Sequence, residues 1–190
     1  MTRVLIGVLA LQGGVAEHER HLRAIGAQVR RVRQPADLDG IDGIILPGGE
    51  STVMRSLLGS FGLWDPLRRQ LSRGLPAMGT CAGMILLARH DGAEPGLAAI
   101  SITVRRNAFG SQAESFESDV ELTGMSEGPF RAVFIRAPLI QDADAEILAR
   151  VDGHPIAARE GNVLVTAFHP ELTDDDRLHR LWLAGVGRSE

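Results

Sequence analysis

One cysteine, Cys81, is all that the 190 residues contain. An internal disulfide is therefore excluded, and the composition fits a reducing compartment. Long apolar runs are missing as well, and none approaches the roughly 20 residues of a membrane span. The apolar run 4–10 is short and leads into Gln12-Gly13-Gly14 without a small-residue cleavage site. It reads as a buried strand, not a signal peptide. A basic excess is also lacking. The net charge is −4, so no overall field draws nucleic acid or an anionic membrane. No internal repeat, low-complexity tract or linker divides the sequence. What is present is ordinary for a globular protein, 44% hydrophobic and 23% charged, and long enough for a full core. A single domain over residues 1–190, located in the cytoplasm, is expected.

The first half alternates strand and helix. Strands are predicted over 3–10, 28–32, 43–46 and 76–79, and helices over 15–25, 51–58 and 65–72, with 33–40 as a loop around Pro35. Short connections between alternating elements imply an α/β fold: three layers, a largely parallel central sheet, helices on both faces. In such sheets ligands gather beyond the carboxyl ends of the strands. Gln12, Gly48-Gly49 and Cys81 all fall just after strands, so they are expected along one edge. The second half changes character. Runs at 97–105, 116–122, 132–135, 147–151, 156–159 and 162–168 read as strands, separated by turns such as Asp152-Gly153 and Glu160-Gly161. They are expected as antiparallel additions, before a last helix over 174–184.

Three stretches carry chemistry. In Gly79-Thr80-Cys81-Ala82-Gly83 a short strand precedes the cysteine and the apolar run 84–88 follows it. Strand, tight turn with small neighbours, then helix is the geometry of a nucleophile elbow. A helix start beside the sulfur favours its thiolate. The bland alternative is a small buried hydrophobe. The second stretch is Phe168-His169-Pro170-Glu171, just past a predicted strand. A cysteine nucleophile needs a base that returns a proton to the leaving group, and a third group to orient that base. Cys81, His169 and Glu171 can fill those roles. The third is Leu46-Pro47-Gly48-Gly49-Glu50-Ser51. It reads equally as a strand-to-helix turn capped by Glu50 or Ser51, and as a loop whose amide at Gly49, with that of Ala82, forms an oxyanion hole. His18 and His21, one helical turn apart, have no evident third ligand, so no metal site is expected.

Together these stretches resemble the class I (triad) glutamine amidotransferases, whose fold is flavodoxin-like. More narrowly, the chain is similar to the glutaminase subunits of pyridoxal 5′-phosphate synthases. The narrower resemblance rests on Gly7-Val8-Leu9-Ala10-Leu11-Gln12-Gly13, Leu46-Pro47-Gly48-Gly49-Glu50-Ser51-Thr52, Arg106-Asn107-Ala108-Phe109-Gly110, Phe134-Ile135-Arg136-Ala137-Pro138 and Phe168-His169-Pro170-Glu171-Leu172-Thr173. The resemblance implies hydrolysis of L-glutamine to glutamate and ammonia, with the ammonia passing to a synthase subunit in a large hetero-oligomer. It implies no cofactor. Carried over by position, Cys81 is the nucleophile, and His169 with Glu171 completes the triad. Gly48, Gly49 and Glu50 match the glutamine-binding loop, Arg106, Ile135 and Arg136 match other glutamine contacts, and Gln12 matches a residue near the subunit interface. Arg106 or Arg136 can hold the substrate carboxylate bidentately. Weak activity before the synthase binds is implied too.

Departures from the family pattern are few. Ala108 stands where serine is usual and Ser111 where a basic residue is common; the segment 91–95 is compact and the C-terminal tail short. They bear on partner contacts more than on chemistry. Two other functions stay open at this point. One is a glutaminase subunit serving another biosynthetic pathway. The other is a non-catalytic binding or redox-sensing domain, in which Cys81 is oxidised instead of attacking an amide.

Overall fold

The structure is a computed structural model that describes residues 4–106 and 115–187. The stretch Asn107-Ala108-Phe109-Gly110 and position 111 lie outside the described residues. Chain order gives β1 (Leu5–Leu9), α1 (Val15–Ala24), β2 (Gln28–Val32), β3 (Gly43–Leu46), α2 (Ser51–Ser60), α3 (Trp64–Ser72), β4 (Ala77–Thr80) and α4 (Ala82–Leu87). The second half adds β5 (Ile102–Arg105), β6 (Ser115–Val120), β7 (Phe130–Ile135), β8 (Leu139–Ala143), β9 (Glu146–Val151), β10 (His154–Glu160), β11 (Val163–Thr166) and α5 (Arg177–Leu183).

Seven strands form the central sheet in the order β2-β1-β3-β4-β11-β10-β9. The first five run parallel, and β10 and β9 add on antiparallel. The central strands are largely apolar because both faces are covered: GIIL in β3 and VLVT in β11 are buried at every position. The covering helices divide by the pleat. Leu46 is paired in register with Gly79, which faces Gly83 and Leu87 of α4. Gly43 sits an odd number of residues away on the same strand, so it faces the other side, where it meets Trp182 of α5. The helices α4 and α5 therefore lie on opposite faces. The helix α1 shares the face of α5, since His21 stacks on His179.

Several details depart from the sequence expectation for physical reasons. Residues 35–38 form a 3₁₀ turn, started by Pro35 and closed by a capping box between Gln34 and Asp37. Of the predicted strand 97–105 only β5 pairs as a strand. The amides of Leu97 and Ala99 instead bond to the carbonyls of Leu86 and Leu87, so this stretch caps the end of α4. The run 162–168 is not an antiparallel addition: β11 pairs parallel with β4, from Val163↔Ala77 to Thr166↔Thr80. Two antiparallel pairs, β5-β8 and β6-β7, stand as separate small sheets. The β6-β7 pair meets the central sheet through Phe134, packed edge-on to Phe168 with centroids 5.7 Å apart.

The strand order reverses direction between β1 and β3, the switch point at which ligands bind in open parallel sheets. The loops after β1, β3, β4 and β11 converge there.

Candidate active site

The register of β4 and β11 decides where the chemistry sits. Both strands end together, at Thr80 and Thr166, and the residue after β4 is Cys81. Its amide donates to the Thr166 carbonyl at 2.8 Å. Its backbone is held at φ 49°, a left-handed value that a residue with a side chain adopts only when its surroundings impose it. The constraint is visible at Gly83, where a Cβ would overlap the Leu46 carbonyl; without one, α4 presses onto β3 and the elbow closes. Cys81 is the first flanking residue of α4, so the unpaired amides of that helix's first turn, Ala82 among them, lie beside the sulfur.

Beyond β11 the chain passes Phe168 and presents His169, whose amide donates to the Val133 carbonyl at 2.8 Å. A 3₁₀ turn over Pro170–Leu172 then swings Glu171 back beneath it. His169 Nδ1 lies 2.8 Å from Glu171 Oε1. Burial works against the imidazole's charge, but the neighbouring Cys81 and Glu171 side chains prevail and push its pKa up to about 10. Burial also opposes ionisation of Glu171, yet His18 and His169 hold its carboxyl below the usual 4.5. The histidine is thus a cation at neutral pH, held between a carboxylate and the sulfur. Such a cation favours a cysteine thiolate. A side chain at position 48 would collide with the His169 ring, so Gly48 is what lets the loop after β3 close over the imidazole.

The residues singled out in the sequence for catalysis, glutamine contact and the interface line one cleft of about 540 Å³: Gln12, Gly48, Gly49, Glu50, Cys81, Ala82, Arg106, Ile135, Arg136, His169 and Glu171. Their environments differ. The Glu50 carboxylate caps α2, accepting from the amides of Thr52 and Val53 at 3.1 and 2.9 Å. Its own amide donates to the Gln12 side chain at 2.8 Å, so Gln12 tethers the loop. Arg106 reaches Glu50 Oε1 at 3.1 Å and Thr52 Oγ1 at 2.7 Å, and lies 3.7 Å from Asp91 Oδ2. It braces the 48–52 loop. Nothing in the order of residues marks Asp91 as its partner, because the two are joined only by the fold. Arg136 is exposed and carries a φ of 43°. Beside it Ile135 places its carbonyl 4.0 Å from Cys81 Sγ.

A match to the SNO glutamine amidotransferase family spans residues 8–187. The chain belongs to the SNO glutamine amidotransferase family. A relative from Mycolicibacterium vanbaalenii, a pyridoxal 5′-phosphate synthase subunit PdxT, is 52% identical, covering 98% of this chain and all of its own. The PdxT of Carboxydothermus hydrogenoformans is 50% identical over 95% of this chain and 97% of its own. A crystal structure of a glutamine amidotransferase superposes with a TM-score of 0.89 at 43% identity, covering 96% of this chain and 98% of that one. The three-layer, mostly parallel architecture is that of the class I glutamine amidotransferases.

In this family member a buried histidine cluster lies behind His169 and Glu171. His18 and His21 on α1 do meet a third histidine, His179 on α5. His18 Nδ1 is 2.9 Å from His179 Nε2, and His21 stacks on His179 at 4.5 Å. Among the described residues no group of three or more His, Cys, Asp or Glu side chains is arranged to hold a metal. Nor, among them, is any helix long and apolar enough to cross a membrane.

These groups set the pH dependence of stability in the amidotransferase. His169 is a base raised from 6.5 to about 10, so its contribution is complete below pH 6.5 and is lost as pH rises toward 10. Burial lowers His18 and His179 below 6.5, so their burial in the neutral form weakens the fold as pH falls beneath that value. Glu171 is an acid held below 4.5, and its contribution is lost as pH falls through its folded value. Thermal midpoints measured by calorimetry are therefore expected to peak near pH 6.5. In Glu171→Gln the alkaline decline is expected to flatten, since one cause of the His169 shift is gone. Parallel profiles for the two proteins would contradict the assignment.

Proposed function

We propose that Cys81, His169 and Glu171 form the catalytic triad with which this chain hydrolyses L-glutamine, and that the ammonia is delivered to a pyridoxal 5′-phosphate synthase subunit. The chain is a glutamine amidotransferase, hence a glutamine-hydrolysing enzyme, and glutamine hydrolysis feeds pyridoxal 5′-phosphate synthesis. The observation that carries the site reading is the line from the elbow cysteine through an elevated imidazole to a buried carboxylate at 2.8 Å.

The reaction runs in two halves. The Cys81 thiolate attacks the side-chain amide carbon, and a C–S bond forms. The amide oxygen takes the negative charge, which the N–H groups of Gly49 and Ala82 stabilise. His169, already protonated, gives its Nε2 proton to the departing nitrogen; the C–N bond breaks and ammonia leaves. The imidazole is now neutral and takes a proton from water, which attacks the glutamyl thioester. Breaking the C–S bond releases glutamate and restores the thiolate–imidazolium pair. Glu171 holds the imidazole in place through both halves. The substrate's α-amino and α-carboxylate groups fall to Glu50, Arg106, Arg136 and the backbone at Gly48, Gly49 and Ile135.

At the rim of the cleft the apolar Ile135 and Leu172 are 38% and 46% exposed, open to contact by a partner. A large hetero-oligomer in the cytoplasm, without nucleic acid or membrane, completes the reading. The test supplies amide-¹⁵N-glutamine to the purified chain, alone and with a pyridoxal 5′-phosphate synthase subunit. Ammonia release is expected to rise on adding the partner, and the label to enter pyridoxal 5′-phosphate. Equal release with and without the partner would count against activation, and unlabelled product against delivery.

A further inference from the structure

Glu171 has two carboxylate oxygens, and the triad uses one. Oε1 faces His169. Oε2 is enclosed and has no hydrogen-bond partner within bonding geometry among the described residues. A buried carboxylate oxygen left without a donor is costly. The group that faces it is fully buried His18, whose Nε2 is 3.5 Å away. The same nitrogen lies 3.2 Å from Thr80 Oγ1, on the residue before Cys81.

We infer that His18 is a positioning residue for the triad, directing an Nε2–H at the second oxygen of Glu171, and that His179 fixes the tautomer that makes this possible. The inference rests on the proposed catalytic role of Cys81, His169 and Glu171.

The tautomer follows from the contacts. His18 Nδ1 and His179 Nε2 are 2.9 Å apart, so one of them donates and the other accepts. If His179 donates, the His18 proton sits on Nε2 and points toward Glu171 and Thr80. His179 Nδ1 is then a bare acceptor, and that atom indeed has no partner among the described residues. In the reverse arrangement His179 Nδ1 is a buried donor with nothing to receive it, and a His18 lone pair faces the carboxylate. Orphaned buried donors are the rarer case, so the first arrangement holds. His21 keeps the His179 ring in plane by stacking on it, 5° from parallel. It also donates from Nε2 to the Thr173 carbonyl at 3.0 Å, just past Glu171. Two histidines of α1 therefore clamp the loop that carries the triad.

Charge is consistent with that role. Burial keeps His18 neutral against the pull of Glu171. A protonated His18 would compete with His169 for the carboxylate. The groups that face His18 and Glu171 are Glu17, Arg20 and His21 on α1, Thr80 at the end of β4, His169 beyond β11, and His179 on α5.

The test compares wild type with His18→Phe, which keeps a buried ring but no N–H, His18→Gln, which keeps a donor, and His179→Phe. Each is assayed for glutamine hydrolysis in complex with the synthase subunit. Alkylation of Cys81 by iodoacetamide is followed in parallel; as the one cysteine in the chain it reports on the triad without turnover. For His18→Phe, kcat is expected to fall about 10–100-fold, the range seen when a partner of a functional ligand is removed. KM should stay within about twofold, alkylation at neutral pH should slow, and the acid limb of kcat/KM should move to higher pH, because Glu171 protonates more readily without the donor. His18→Gln should recover part of each. A folded His18→Phe with unchanged kcat, alkylation and pH limb overturns the inference. If His18→Phe does not fold, His179→Phe decides: an unaltered pH limb in that variant overturns it as well. Wild-type hydrolysis that survives loss of Cys81 would instead refute the triad reading and take this inference with it.

Discussion

Replacing Cys81 with alanine is expected to reduce glutamine hydrolysis by at least about 10⁴-fold, the scale on which covalent hydrolases lose turnover when the nucleophile goes. No other thiol exists in the chain to take over. The fold is expected to survive. Alanine keeps the Cβ, so the backbone at φ 49° meets no new strain. The sulfur touches the Ile135 carbonyl at 4.0 Å and interacts with the His169 imidazole. Loss of the sulfur's burial alone costs about 1 kcal/mol, a shift of roughly 2–4 °C in a chain of this size, and loss of its interaction with the His169 imidazole lowers the midpoint further at neutral pH. Two measurements check this. Ammonia release gives the turnover, and mass spectrometry after acid quench with glutamine shows a glutamyl adduct on wild type and none on Cys81→Ala. Hydrolysis by the variant at a tenth of the wild-type rate would reject the thioester route, whatever the melting curve shows.

The elbow was readable in the sequence because its determinants are local. A strand, two glycines and one cysteine within five residues can adopt few geometries. The alternation of apolar runs and short loops in residues 1–90 was readable for the same reason, and β2 and β3 fall where the hydrophobic pattern puts them. What the sequence hid depends on distance in the chain. His18 and His21 were visible as a helical pair, but His179 reaches them only because α1 and α5 share a face of the sheet. Asp91 meets Arg106 only across the fold.

The second half was harder because its strands do not share one environment. In β8, LIQDA has no clean alternation and is buried only at its first two positions, so nothing marks it as a strand. The buried stretch 97–100 carries a strand-like pattern yet spends its amides on the end of α4. The strand β11 has the apolar run Val163-Leu164-Val165 of a central parallel strand, but the antiparallel β9 and β10 precede it, and only the pairing with β4 distinguishes the two cases. That pairing matters most for function, since it sets His169 beside Cys81.

Removing the imidazole should be nearly as damaging as removing the sulfur, for a different reason. In His169→Ala no group remains to protonate the departing nitrogen, and the thiolate loses the cation that stabilises it. A fall of about 10⁴-fold or more in kcat is expected. Glu171→Gln should be milder, about 10³–10⁴-fold, because the imidazole is still present but has lost the carboxylate that raises its pKa to about 10. The two variants should then separate under rescue. The cleft is open to solvent, so added imidazole can occupy the space vacated in His169→Ala and restore part of the turnover. In Glu171→Gln the native ring still fills that space, 2.8 Å from the substituted side chain in the wild-type geometry, and rescue should fail. Equal rescue of both variants would mean that the ring at residue 169 is not the proton donor. Turnover in His169→Ala within tenfold of wild type would place the acid elsewhere in the cleft.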